Sequence, residues 1–245
     1  DERFESYGFK GIIAYIKEKG MIPGVWLEMN SIAQSDSVFE KFKDSLLKRN
    51  GEYAGSEGCY QIDFRQDSVT EYMTSVIDRL YETGVRFIKN DFNQTIGIGT
   101  DGRMCGGEEV RQNSLAFMQF IDAIKSQYPD LKIENCASGS MRTDGSIMKH
   151  FELVSISDQE YYYNNPSILS GIQACVQPEK CGIWAYPYPQ LFDDRLLTAS
   201  EAVDTDSERN MNKTGFNMIN SMMGVMYLSG HIELADDKNT KLIRD

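Results

Sequence analysis

Four acidic residues stand at or just past the ends of short apolar runs: Glu28 after Ile22–Leu27, Asp91 after Val85–Lys89, Glu134 within Leu131–Glu134, and Asp158 after Leu153–Ser157. Cleaving a glycosidic bond takes two carboxyl groups across the scissile bond. One protonates the leaving oxygen, and the other attacks carbon 1 or activates water. A different chemistry uses the same residue types: Glu28, Asp91 and Glu134 on successive strand ends could hold Mg2+ with Lys89 as base, as in a lyase or isomerase.

In Phe87-Ile88-Lys89-Asn90-Asp91-Phe92-Asn93, Lys89 and Asp91 lie two apart on a strand and point to one face. An ammonium there would lower the pKa of Asp91 and keep it ionised as a nucleophile, or the two form a structural ion pair. Asp158 is followed by Tyr161, Tyr162 and Tyr163. Aromatic walls desolvate a carboxyl, raise its pKa as a general acid needs, and stack on sugars; the alternative is that Asp158 caps a turn and the tyrosines pack.

The stretch from Ile133 to Gly145 combines small residues, polar side chains and two glycines after a strand, a composition that lets backbone N–H groups approach a ligand but is common in βα turns. Trp26 and Trp184 sit just inside strand ends, where packing in a barrel layer is the commoner use, and Cys136 reads the same way.

Elements must hold these residues in place. Ile12, Ile13 and Ile16 are at helical spacing within Phe9–Lys19, which ends at Gly20. Val69, Tyr72, Met73, Val76, Ile77 and Leu80 form one stripe of a helix over Ser68–Thr83, capped by Asp67 or Ser68 and ended by Gly84. A helix around Leu115–Tyr128 stops at Pro129, another opens at Pro166 and runs through Val176, and a Met-rich one covers Phe216–Leu228. Between them fall six strand candidates: the four runs above, Gly182–Tyr186 and His231–Leu234. Alternating strands and helices, with reactive residues at strand C-terminal ends, predict a (β/α)8 TIM barrel. Six cycles are too few to close it, so about two βα units are expected to be missing upstream of a single catalytic domain over residues 1–245.

A net charge of -12 and a pI near 4.7 argue against nucleic acid or an anionic membrane as partner and favour a neutral substrate. No run of about 18 apolar residues would span a bilayer. Five scattered cysteines (Cys59, Cys105, Cys136, Cys175, Cys181) and two histidines make a poor metal-ligand set and suggest a reducing compartment, hence a cytoplasmic address, with no metal or other cofactor. The sequons at Asn93 and Asn212 read as chance, and the opening Asp1 suggests a chain cut from something longer.

From about Gly8 onward the chain resembles glycoside hydrolase family 36, the α-galactosidases and their relatives. Gly24-Val25-Trp26-Leu27-Glu28 is similar to the family's G-x-W-x-E strand. Asp63 to Asp91 is similar to its segment from L-D to K-W-D-x-N, Glu134-Asn135-Cys136-Ala137-Ser138-Gly139 with Arg142 and Asp144 to its E-N-C-x-S-G-G-x-R-x-D, and Ser157-Asp158 to its S-D. The resemblance implies Asp91 as nucleophile after the fourth barrel strand and Asp158 as general acid/base after the sixth. It also implies a sugar site including Trp26, Glu28, Lys89, Asn93, Cys136, Ser138, Gly139 and Arg142. The expected activity is retaining hydrolysis of terminal α-galactosides. Transglycosylation of the raffinose-synthase kind, α-N-acetylgalactosaminidase activity, and a degenerate barrel that only binds glycans remain alternatives. The expected partner is an oligosaccharide, with room for a homo-oligomer. Asn90 stands for the family's tryptophan, Met29-Asn30 for Pro-Glu, Ser140 for the second glycine, and Gln159-Glu160 for Asn-Thr.

Overall fold

A computed structural model describes residues 7–93, 95–159, 161–187, 207–230 and 232–245, so Gln94, Glu160 and His231 of the stretches above lie outside the described residues. The chain divides into two compact units, Asp1–Ala137 with Asp144–Glu152, and Ser138–Thr143 with Leu153–Asp245.

In the first unit three parallel strands, β1 (Gly24–Leu27), β2 (Phe87–Asn90) and β3 (Lys132–Asn135), each follow a helix: α1 (Gly8–Glu18), α2 (Asp67–Thr83) and α3 (Gly106–Gln127). Helical crossovers are what parallel pairing requires. The stripe on α2 buries Val69, Met73 and Ile77. They pack with Phe117, Ile121 and Ile124 of α3 and with Ile88 and Ile133 of the strands. Each fully buried Ile contributes about 1.5–3 kcal/mol, so Ile77→Ala would cost about 2–5 kcal/mol once its cavity is included.

Gly84 ends α2 at φ 114°, the left-handed cap that its sequence position predicts. At the other end the N-cap is Gln66, with no side-chain cap bond, and Asp67 is the first helical residue; neither Asp67 nor Ser68 caps it. The entry is pinned instead from α3, where Asn113 Oδ1 accepts the Phe64 N–H at 2.8 Å. Beside it Arg65 donates to Asp63 and Glu109.

Between β1 and α2 the chain makes short antiparallel pieces that the periodicity does not announce. Ser31–Ala33, Cys59–Gln61 and Gly55–Ser56 form one small sheet, and Lys48–Arg49 pairs with Glu52–Tyr53. The turn of that pair is Asn50-Gly51, with φ of 53° and 82°, the two-residue connection that matches strand twist.

In the second unit β4 (Leu153–Ser155), β5 (Cys181–Ala185) and β6 (Val225–Leu228) are parallel, with helices α4 (Asn165–Ile172), α5 (Ser207–Ser221) and α6 (Asp237–Arg244). The Met-rich helix expected over Phe216–Leu228 is corrected here. It ends at Ser221, and Val225–Leu228 is the sixth strand, paired with Gly182–Ala185. A short apolar run is ambiguous by period alone, and the strand partner decides it. The strand expected at His231–Leu234 is not one: Ile232–Leu234 is a 3-10 turn.

Candidate active site

Register places the site-face residues of the first unit in rows. Trp26 is opposite Lys89, and Lys89 opposite Glu134. The ladder continues past the strand ends through Asp91 N–H to Leu27 O (3.3 Å) and Cys136 N–H to Asn90 O (2.9 Å), so Glu28, Asp91 and Cys136 form the next row. Side chains alternate along a strand, so these six residues share one face. Val25, Leu27, Ile88 and Ile133, on the other face, belong to the helix-packed core.

Asp91 is 8% exposed. Trp26 Nε1 donates to its Oδ2 at 3.1 Å and the Phe92 N–H to its Oδ1 at 2.9 Å. Burial pushes the Asp91 carboxyl up, but hydrogen bonds from Trp26, Cys136, Asn93 and the Phe92 N–H outweigh it and hold the group below the usual carboxylate range. Lys89 Nζ lies 4.0 Å from Glu134 Oε1, in its own row. Trp26, expected to pack inside, is 57% exposed.

Glu28 accepts from Ser31 Oγ at 2.8 Å and from Asn93, through its backbone N–H at 3.4 Å and Nδ2 at 3.3 Å. It therefore ties β1 to the loop that leaves the Asp91 strand. Among the described residues no group of three or more His, Cys, Asp or Glu is arranged to hold a metal ion. Of the three carboxylates of the magnesium reading, Glu28 accepts from Ser31 and Asn93, Asp91 from Trp26, Asn93 and the Phe92 N–H, and Glu134 lies 4.0 Å from Lys89.

In the second unit Asp158 follows β4 and is exposed. The three tyrosines after it pack on one another, Tyr161 and Tyr162 each 5.6 Å from Tyr163 between ring centroids, and Tyr162 also meets Phe216. The expected aromatic desolvation of Asp158 is therefore replaced by an open carboxyl beside a self-packed aromatic cluster. Ser138 and Gly139 both have positive φ, 46° and 83°. A Cβ on Gly139 would come within 2.8 Å of Ser157 Cα, so only glycine lets this loop lie against the Asp158 strand end. Arg142 is half-buried in the same loop. Asp144 caps the short helix Gly145–Met148 through the Ser146 and Ile147 N–H groups. Trp184, Tyr186 and Tyr227 form an aromatic wall on β5 and β6, for which Gly182 leaves room.

The family model that describes Melibiase matches residues 1–177. The chain belongs to the Melibiase family. Among curated Melibiase-like relatives, the "Alpha-galactosidase" of Escherichia coli is 27% identical over 187 residues, 74% of this chain and 26% of that protein. "Alpha-galactosidase 1" of Pediococcus pentosaceus is 22% identical over 166 residues, 64% of this chain and 22% of its own length. The chain thus spans about a quarter of these relatives. Among solved structures, the GH36 α-galactosidase AgaA from Geobacillus stearothermophilus matches with a TM-score of 0.78 at 16% identity, covering 97% of this chain and 32% of that one. A variant of AgaA in complex with raffinose matches at 0.77, with the same identity and coverage. That likeness establishes the fold: this Melibiase-family chain carries part of the catalytic (β/α)8 barrel seen in those enzymes.

Sequence reasoning missed the Phe92 N–H and Ser31 as partners of the site carboxylates, and neither has a signal that a single sequence exposes. It also missed the Lys48–Tyr53 hairpin, although Asn50-Gly51 announces one.

Proposed function

We propose that the protein is a retaining α-galactosidase acting on terminal α-galactosides of neutral oligosaccharides, with Asp91 as nucleophile and Asp158 as general acid/base. One observation carries the reading: a carboxylate at a strand end, 8% exposed, is kept ionised by an indole N–H, a thiol, an amide and a backbone N–H. A nucleophile must be anionic before it meets carbon 1, and Asp158, which follows β4, supplies the second carboxyl that the reaction needs as general acid/base.

In the first step Asp158 gives its proton to the glycosidic oxygen as an Asp91 oxygen bonds to carbon 1 and the leaving sugar departs. In the second, Asp158 takes a proton from water as that water attacks carbon 1 and frees Asp91. Retention requires the two carboxyl groups roughly 5–5.5 Å apart in the working enzyme. The two relatives named above are α-galactosidases, and raffinose and stachyose are bound in variants of AgaA, which supports the substrate class.

The test is hydrolysis of p-nitrophenyl α-galactoside by the full-length protein beside Asp91→Ala and Asp158→Ala. Both variants should lose turnover, and azide should restore release from Asp91→Ala with a galactosyl azide of inverted configuration. Intact activity in both variants would overturn the site.

A further inference from the structure

We infer that the hairpin Lys48–Tyr53 is a clasp that positions Asp91, acting through the far end of the loop that Asp91 begins. The inference rests on Asp91 being the nucleophile, and it adds Arg49 and Asp101 as positioning residues.

The loop is gripped at both ends. Near Asp91, Glu28 accepts from Asn93. Some eight residues on, Asp101 accepts the Asn50 N–H at 2.9 Å and the Gly51 N–H at 2.8 Å, one on each carboxylate oxygen. Its own N–H donates to Lys48 O at 2.7 Å, and Arg49 Nε donates to Gly99 O at 2.7 Å. Three of these four bonds, two to a carboxylate and one from a guanidinium, belong to the charge-assisted kind that is shorter and stronger than neutral pairs.

The contact is built to close tolerance. The guanidinium of Arg49 lies over Gly97, where any Cβ would overlap it, and Gly97 has φ +77°. Gly99 in turn sits against Gly106, the first residue of α3, where a Cβ would come within 2.9 Å of backbone. The turn that presents the two N–H groups exists because Asn50 and Gly51 both hold positive φ, which aims successive N–H groups at one acceptor.

From the clasp to Asp91 the coupling is a small apolar cluster separate from the main core. Leu47 and Ala54, flanking the hairpin, pack with Ile96 of the loop, and Phe92 and Val110 close the cluster. Phe92 is the residue whose N–H donates to Asp91 Oδ1. A shift at Asp101 or Arg49 therefore reaches the nucleophile through packed side chains, and close-packed clusters transmit displacement. Misplacing a reacting group by about 1 Å costs up to a hundredfold in rate.

The test uses Asp101→Ala, which removes the acceptor of two N–H groups, and Gly97→Ala, which pushes Arg49 away without touching a charge, in the full-length protein. Turnover of p-nitrophenyl α-galactoside and native amide exchange are measured for each. We expect kcat to fall by about tenfold with KM within about twofold, the acid limb of kcat/KM to move up in pH, and exchange at Phe92 and Ile96–Asp101 to quicken. Exchange across α2 should stay unchanged, which separates loosening of the loop from general unfolding. Wild-type kcat and pH profile in both variants overturn the clasp even if exchange quickens, because the hairpin is then structural only. A wild type silent on the galactoside sinks the α-galactosidase reading alone; an NMR titration of the Asp91 carboxyl then decides the clasp, which stands if both variants raise its pKa and falls if they do not.

Discussion

The indole Nε1 of Trp26 lies 3.1 Å from Oδ2 of Asp91, across the β1–β2 pair, and this bond links an exposed ring to a buried carboxylate. It is the foremost of the hydrogen bonds that hold Asp91 below the usual carboxylate range against the opposing effect of burial. Trp26 thus serves the anion.

Trp26→Phe should therefore raise the pKa of Asp91, since it removes a donor to the ionised form and leaves burial in place. Activity that needs the anion will fail at a higher pH than in wild type. We expect kcat/KM to fall by about tenfold on the acid side and by less at pH 7, consistent with one bond to a charged group being worth about 1.5–3 kcal/mol. A pH-rate profile checks it, and an unmoved acid limb would show that the bond does not matter.

Gly139→Ala should destabilise the protein by about 1–3 kcal/mol, because it adds both a Cβ against Ser157 and a left-handed strain at φ 83°. Urea unfolding measures the loss. Turnover should drop with it, since Ser157 precedes Asp158 in the chain.

Asn90 faces away from the site, is fully buried and accepts the Met29 N–H at 3.1 Å. Asn90→Ala leaves that N–H without its acceptor and should cost about 1–3 kcal/mol. Measured per folded molecule, kcat should stay near wild type, in contrast to substitutions at its neighbours Lys89 and Asp91.

Arg65 bonds Asp63 through Nε (2.7 Å) and Nη2 (2.8 Å) and Glu109 through Nη1. The Arg65 guanidinium, followed by the Met104 N–H, holds the Glu109 carboxyl below its usual range. A folded pKa below the unfolded one adds stability that is present above the unfolded value and lost as pH falls through the folded one. Arg65→Met should therefore melt well below wild type at pH 7, and the gap should narrow as pH drops below the ordinary glutamate range. Thermal melts at several pH values test this; a gap that widens in acid would refute the assignment.

Much of this was legible in the residues. The helix over Asp67–Thr83 and its end at Gly84 followed from an apolar stripe and a glycine, which are local signals. Five of the six parallel strands lie where apolar runs between turn residues put them. The sixth did not, because Val225–Leu228 continues the apolar character of the helix before it, and only pairing with Gly182–Ala185 makes it a strand. The pieces between Ser31 and Gln61 were too short to show a period at all.

By itself the sequence determined which carboxylates stand at strand ends and, through the two-residue alternation, that Lys89 and Asp91 share a face while Asn90 takes the other. Alternation is a property of one strand and needs no partner. What only the tertiary structure decided is who meets whom. Register between strands sets Lys89 beside Glu134 and brings Trp26 and Cys136 to Asp91. Register is fixed by packing across neighbouring strands, which no spacing within one strand records.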